Sequence, residues 1–199
     1  MKLLIATGNQ NKLREVRQIL AAPGVDLVGQ DSIGGNWEVI EDGATFEANA
    51  VKKAATLAKA TGYWTLADDS GLCVDVLGGA PGVLSARYAG EPVDCAANNR
   101  KLLAELGSTR NRTARFICVL AIADPSGKCV VIEGECRGRI TNEPRGKGGF
   151  GYDPLFIPDG YKSTFGEMTS AEKNAISHRA IALARAREKL ERLIKRTGP

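Results

Sequence analysis

Strand-like apolar runs alternate with helical segments along this 199-residue chain. Residues 3–6 form a short apolar run, and residues 12–20 follow with apolar side chains at helical spacing. Pro23 and Gly24 come next and predict the end of that helix. The alternation continues without an internal repeat, which predicts an α/β fold with a mixed central β-sheet and flanking helices.

Later segments carry their own boundary signals. Three side chains are predicted to cap helices: Thr45, before an alanine-rich segment that ends at Gly62, Asp94, and Ser177 before the last segment. Residues 113–123 and 129–135 are long apolar runs around an Asp-Pro-Ser-Gly turn, so we predict a β-hairpin there.

Composition limits the cellular context and the partners. No apolar segment reaches the length of a membrane span, and the first apolar run is too short for a secretory signal, so we expect a cytoplasmic protein without a membrane partner. The five cysteines form no C-x-x-C pair and only one histidine accompanies them, which predicts reduced thiols. A formal charge of +4 is modest, so the basic C-terminal helix is interpreted as a solvated face and no nucleic-acid partner is expected.

Two adjacent carboxylates, Asp68 and Asp69, follow the apolar run 63–66 and precede Ser70 and Gly71. We predict two strands, 63–67 and 72–76, with the aspartates in the turn between them. Successive strand side chains point to opposite faces, so only one of the pair can face a given cleft, as a metal-binding or base carboxylate. The alternative is an acidic turn that only satisfies its own backbone.

A glycine turn that ends in a lysine joins the first strand to the first helix. Backbone N–H groups at a helix start and a nearby ammonium form an anion site suited to a triphosphate. The G-x-x-x-x-G-K-[ST] pattern is absent, so the segment is not a P-loop and could be an ordinary turn. The candidate phosphate-binding residues are Thr7, Gly8, Asn9, Gln10, Asn11 and Lys12.

Two further segments carry candidate binding groups. In the glycine-rich segment 146–154, Phe150 could stack on a base and Asp153 could accept hydrogen bonds from it. Alternatively the loop folds its aromatic side chains into the core. Lys173 and the run 177–179 place hydrogen-bond donors at a predicted helix start. The alternative is a purely structural role, with a capping serine among surface residues.

These segments together resemble the inosine triphosphate pyrophosphatase family, also called the XTP/dITP diphosphatases. Six motifs occur in the family's order and cover nearly the whole chain. They are T-G-N-x-x-K at 7–12, A-D-D-S-G-L at 67–72, G-G-A-P-G at 78–82, S-A-R-Y at 85–88, G-G-F-G-Y-D-P at 148–154 and S-H-R at 177–179.

The resemblance implies hydrolysis of ITP, dITP and XTP to the monophosphate and pyrophosphate, with Mg²⁺ as cofactor. It implies one two-lobed domain over residues 1–199, with a nucleotide-binding cleft between the lobes, and a homodimer. Asp69 would be the catalytic base and, with Glu41, a metal ligand. The implied substrate-binding residues are Thr7, Gly8, Asn9, Gln10, Asn11, Lys12, Ser70, Phe150, Gly151, Tyr152, Asp153, Lys173, His178 and Arg179, with Lys53 adding positive charge near the phosphates.

Three other classes stay open at this stage. A Maf-type nucleotide pyrophosphatase would share fold and metal chemistry but prefer other triphosphates. A non-enzymatic nucleotide or nucleic-acid binder would have no need for Asp68 and Asp69 beside an anion turn. A general phosphohydrolase would release orthophosphate instead of pyrophosphate.

Overall fold

The computed structural model describes residues 1–20, 24–35 and 37–197, and side chains up to residue 192. The described residues form six strands and five α-helices. The strands are β1 Lys2–Ala6, β2 Asp26–Gly29, β3 Trp64–Val74, β4 Thr113–Ala123, β5 Cys129–Ile140 and β6 Phe156–Pro158. The helices are α1 Gln10–Ile19, α2 Phe46–Thr61, α3 Cys95–Leu106, α4 Ser170–Ile176 and α5 His178–Thr197.

The strands form one mixed sheet in the order β2-β1-β3-β4-β5-β6. Strand β1 is parallel to both β2 and β3, with Leu3 opposite Leu27 and Trp64, whereas β5 and β6 are antiparallel. The predicted α/β fold with a mixed central sheet is therefore confirmed. None of the helices in the described ranges combines the length and apolar character needed to span a bilayer.

The chain divides into two compact units. Unit 1 contains residues 1–69, 118–134 and 179–199, and unit 2 contains residues 70–117 and 135–178. Each unit has its own apolar core. In unit 1, Leu3, Ile5 and Leu66 pack with one face of α1 and with α5, and in unit 2 Leu72 packs with Phe116 and Phe156.

Local capping sets most helix boundaries as predicted. The Thr45 hydroxyl accepts the Ala48 N–H, and α2 stops at Gly62, which adopts φ +71°. Asp94 caps α3 by accepting two N–H groups. Helix α1 begins at Gln10, two residues earlier than predicted, while Pro23, predicted to stop it, lies outside the described residues.

The prediction of a turn at the paired aspartates is wrong. Strand β3 runs without a break from Trp64 to Val74 and includes Asp68, Asp69, Ser70 and Gly71. All but the first and the seventh of its eleven residues are buried. Burial and pairing inside the sheet outweigh the local turn preference of an Asp-Ser-Gly sequence.

Two strands and one α-helix were not predicted: β2, β6 and the short helix α4. The hairpin of β4 and β5 is confirmed, although β5 extends five residues beyond its predicted end. Ser177 ends α4, and α5 begins at the next residue.

Candidate active site

Strand β3 places Asp68 and Asp69 on opposite faces, as the period of a strand requires. Both side chains are buried, at 3% and 6% exposure. Their hydrogen-bond and ion-pair partners within unit 1 include different groups. Asp68 lies among cations and a thiol, whereas Asp69 accepts a hydrogen bond from a neutral amide.

Asp68 is the centre of a buried ion-pair network. Its Oδ1 lies 2.8 Å from Lys12 Nζ, and its Oδ2 accepts a hydrogen bond from Arg179 Nε at 3.0 Å. The Arg179 guanidinium is 1% exposed and also pairs with Glu15 of α1, at 2.5 Å. Burial raises the pKa of Asp68, but the attraction of Lys12 and Arg179 outweighs it and holds that pKa well below its usual range. Asp68 is therefore a charged anchor.

Asp69 has the opposite electrostatic environment. Its Oδ2 accepts a hydrogen bond from Asn49 Nδ2 at 2.9 Å. Burial raises the pKa of Asp69, and the charge of Glu41 raises it further, against the opposing effects of Asn49 and two lysines. A buried carboxylate with a raised pKa is a candidate proton acceptor.

Asn49 connects Asp69 to the segment that carries Glu41. The Asn49 Oδ1 accepts the Gly43 N–H at 2.7 Å. A Cβ on Gly43 would lie 2.6 Å from that oxygen, so glycine is needed there. Glu41 itself pairs with Lys53 of α2 at 2.7 Å. Asn49 has no motif of its own in the sequence analysis, and only its burial on α2 reveals its role.

Glu41 and Asp69 fit a magnesium ion by the chemistry of their donors. Mg²⁺ prefers carboxylate oxygens and is often held by one or two of them, together with substrate phosphates. A cation would also relieve the unfavourable charge on Asp69. Within the described ranges, no cluster of three or more acidic, histidine or cysteine side chains suits a metal. The two carboxylates would therefore depend on phosphate and water oxygens to complete the coordination.

The β1–α1 turn follows the carboxyl end of a parallel strand, where α/β sheets commonly bind ligands. The Asn9 side chain caps α1 by accepting the Asn11 and Lys12 N–H groups at 2.9 and 3.2 Å. Among the described residues, the Gly8 and Gln10 N–H groups of this turn have no acceptor. The predicted anion site would therefore use these two N–H groups and not the whole helix start.

The side chains of this turn have different surroundings. A Cβ added to Gly8 would meet nothing within 4 Å, so its packing does not demand glycine and a ligand could approach closely. The Thr7 hydroxyl accepts the Asn9 N–H, and the Gln10 amide donates to Asp31 at 3.0 Å. Lys12 is the cation of the turn, and its ammonium is already paired with Asp68.

Unit 2 brings Phe150, Asp153 and Lys173 together. Asp153 Oδ2 accepts the Phe150 N–H at 2.8 Å and pairs with Lys173 Nζ at 2.5 Å. That ammonium lies 4.7 Å from the centre of the Phe150 ring. A Cβ on Gly149 would lie 2.0 Å from Asp153 Oδ2, which explains this glycine. The loop is therefore fastened around one buried ion pair.

Two other predicted base-binding residues are buried. Tyr152 is 4% exposed, belongs to the apolar core of unit 2 and donates its hydroxyl to the Ser85 carbonyl at 2.9 Å. His178 is 4% exposed and stacks on Phe116 with ring centres 4.7 Å apart. Ser70 is half-buried in β3, where the chain enters unit 2.

Asn99 of α3 is a residue that sequence reasoning missed. Its Nδ2 donates to the Gly151 carbonyl at 3.1 Å, and its buried Oδ1 accepts no hydrogen bond from the described residues. The neighbouring Asn98 instead holds the S-A-R-Y segment through Ala86 and Ala89. Two buried asparagines in one helix are the signal that would have pointed to this support.

Comparisons with known proteins identify relatives of this chain. The sequence model of the Ham1 family matches residues 3–189. The chain belongs to the Ham1 family. A relative named dITP/XTP pyrophosphatase from Desulforamulus reducens is 53% identical over 97% of both chains, and one of the same name from Bacillus subtilis is 49% identical over 94% of this chain and 96% of that protein.

Solved structures give the same relationship. The Staphylococcus aureus Ham1 protein superposes with a TM-score of 0.88 at 38% identity, covering 96% of this chain and 98% of that one. A Mycobacterium abscessus protein described as nucleoside-triphosphatase and dITP/XTP pyrophosphatase gives a TM-score of 0.76 at 46% identity, covering 94% and 97%. The resemblance inferred from the six motifs is confirmed.

Proposed function

We propose that this chain hydrolyses the non-canonical purine triphosphates ITP, dITP and XTP to the nucleoside monophosphate and pyrophosphate. The observation that carries the proposal is the contrast between the adjacent carboxylates of β3. Asp68 is neutralised by buried cations, while Asp69 keeps a raised pKa beside Glu41. The names of the Ham1 relatives support a pyrophosphatase of this substrate class.

Asp69 would act as the general base. Its carboxylate is buried and accepts a hydrogen bond from Asn49, which gives the proton of an attacking water a fixed acceptor. The deprotonated water would attack the α-phosphorus in line, the bond to the bridging oxygen would break, and pyrophosphate would leave with that oxygen. Asn49 would orient Asp69 throughout, through the hydrogen bond described above.

Glu41 and Asp69 would hold Mg²⁺, which when bound neutralises phosphate charge and orients the reacting oxygens. Lys12 and Lys53 would supply further positive potential toward the phosphates. Each lysine is already paired with a carboxylate, Asp68 or Glu41, so its ammonium is held in place before substrate arrives.

In unit 2, the Phe150 ring and the Asp153–Lys173 pair suit a flat polar base. We assign recognition of the 6-keto oxygen to Arg179 and the backbone at His178, because both donate hydrogen bonds. Adenine has an amino group at this position and cannot accept them. A site built on hydrogen bonds can discriminate by a factor of up to about 10⁴. The ion pairs of Arg179 with Asp68 and Glu15 also give it a structural task, which substrate ratios would separate from base recognition.

A panel of ITP, dITP, XTP, GTP, ATP and a pyrimidine triphosphate, with product identification, tests the proposal. We expect monophosphate and pyrophosphate from the first three, much less turnover of ATP, and loss of activity in EDTA that Mg²⁺ restores. Release of orthophosphate would indicate a general phosphohydrolase, and a pyrimidine preference would indicate a Maf-type enzyme. Binding without any product would indicate a nucleotide-binding protein.

We also propose that the enzyme is a cytoplasmic homodimer. Light scattering on the purified chain would test the dimer, and a mass of about one 21.1 kDa chain would contradict it. Fractionation of source cells would test the compartment.

A further inference from the structure

Unit 2 contains a basic cavity that the proposed reaction does not use. It has a volume of about 490 Å³ and lies beside the start of β4, the end of β5 and the segment that follows β5. Four arginines and one glutamate line it: Arg110, Arg112, Arg139, Arg145 and Glu143. We call it the arginine cavity. Its volume is within the range of small-molecule binding sites.

Arg112 forms a fixed wall of the arginine cavity. All three of its guanidinium nitrogens donate to backbone carbonyls, at 2.7 to 3.2 Å, with Gly107, Thr109 and Thr141 as acceptors. These bonds hold the end of α3 and the segment after β5 in place. The positive charge of Arg112 remains, although three of its five N–H donors are occupied.

The other arginines keep donors that lack acceptors. Arg110 and Arg139 are exposed, and in the described part of the chain neither side chain forms a hydrogen bond or an ion pair. Arg145 donates from Nη2 to the Lys162 carbonyl and to Glu167, but its Nε is buried and has no acceptor among the described residues. A buried donor without an acceptor is unfavourable in a folded protein. Arg110 and Arg139 therefore offer free donors to a ligand in the cavity, and Arg145 adds a buried N–H that no described residue accepts.

We propose that the arginine cavity binds the phosphate chain of a small polyphosphate anion. Guanidinium groups bind phosphate oxygens in bidentate pairs. The four arginines outweigh Glu143 of the lining and Glu167, which pairs with Arg145, so the net positive charge favours an anion. One carboxylate has only two oxygens for the two free guanidinium groups, whereas a di- or triphosphate has enough for a bidentate pair with each. The occupant is pyrophosphate or the phosphate chain of a nucleotide. Pyrophosphate is included because the proposed reaction releases it, and only this part of the inference rests on the proposed function.

The cavity is also connected to the base-binding loop within unit 2. The Arg145 N–H donates to the Pro154 carbonyl at 2.8 Å, and the Arg145 carbonyl accepts the Thr164 hydroxyl at 2.8 Å. A Cβ on Gly146 would lie 2.1 Å from the backbone of Gly166, so this segment has no room to shift alone. An anion that orders Arg145 would therefore also order segment 145–154.

Isothermal titration calorimetry tests the proposal on the full chain without turnover. Pyrophosphate and ADP, each in EDTA, would be titrated into a Lys12→Ala background that weakens the proposed active site. The test variant adds Arg110→Ala and Arg139→Ala. The matched control adds Arg100→Ala and Arg137→Ala, which removes the same charge from side chains that are 72% and 76% exposed.

We expect the test variant to bind at least one of the two probes about tenfold more weakly or worse, and the control to change by about twofold or less. Loss for pyrophosphate alone would identify the free anion, and loss for ADP alone would identify a nucleotide. Equal weakening in both variants would reduce the effect to non-specific charge and overturn the proposal.

Light scattering on the same variants covers the remaining alternative. If neither probe binds and only the test variant changes its mass, the cavity is a contact between copies of this chain and the anion site is wrong. Loss of binding in the test variant would support the site even if the triphosphate panel showed no pyrophosphate release. Failure of the two proposals can thus be told apart.

Discussion

Replacing Asp68 with asparagine should destabilise the protein strongly although the side-chain volume hardly changes. The carboxylate is 3% exposed and balances Lys12 at 2.8 Å and Arg179 at 3.0 Å. Breaking a buried ion pair by removing one partner costs about 3–5 kcal/mol, because an uncompensated charge stays buried. Since Lys12 is 17% exposed and Glu15 still pairs with Arg179, we expect the lower end, about 3 kcal/mol.

Thermal unfolding would measure this loss. At about 2–4 °C per kcal/mol for a chain of this size, the melting temperature should fall by about 6–12 °C. The control is Asp42→Asn, because Asp42 pairs with Lys52 at 2.6 Å while its side chain is 66% exposed, and exposed pairs contribute little. A melting temperature of Asp68→Asn equal to that of this control would refute the reasoning.

The pH dependence gives an independent check on Asp68. Its pKa is lowered in the folded state, so its stabilising contribution is present above the unfolded pKa of about 3.9 and is lost as the pH falls through the folded value. The difference in stability between wild type and Asp68→Asn should therefore be constant from about pH 8 to pH 5 and shrink below about pH 4. A difference that disappears between pH 7 and pH 6 would point to another group.

Four further substitutions test the site. Asp69→Asn should lower kcat at least about 10²-fold. Its melting temperature at neutral pH should stay equal to that of the wild type or rise, because burial raises the pKa of this carboxyl and its charged form destabilises the fold above that pKa. Steady-state kinetics of Lys12→Ala should show kcat/KM lowered alike for ITP and XTP. A change of more than a few-fold in the ratio of the two kcat/KM values would contradict a phosphate role. Arg179→Ala should reduce kcat/KM for ITP more than for ATP, whereas an equal fall would indicate a purely structural residue. Asn99→Ala should release the Gly151 carbonyl and raise the KM for ITP more than it changes kcat, and an unchanged KM would remove Asn99 from substrate positioning.

Local signals in the sequence were sufficient for the helix caps and the hairpin. Thr45, Gly62 and Asp94 act on N–H and carbonyl groups within four residues of themselves, so their effect is nearly independent of the rest of the fold. The opposite orientation of Asp68 and Asp69 also followed from the two-residue period of a strand. Motif order alone was enough to recognise the Ham1 family.

Tertiary structure decided the surroundings of each aspartate. The sequence suggested a turn at Asp68 and Asp69, but sheet burial made this segment the middle of β3. Asp68 meets Arg179 across 111 positions of the chain, and Arg179 meets Glu15 across 164. The energy of a charge in the interior depends on burial and on the counter-charges within a few ångströms, and the spacing of residues along a chain specifies neither. The sequence therefore predicted a base or metal-binding carboxylate in this segment, and only the fold shows the cations that anchor Asp68 and the burial that raises the pKa of Asp69.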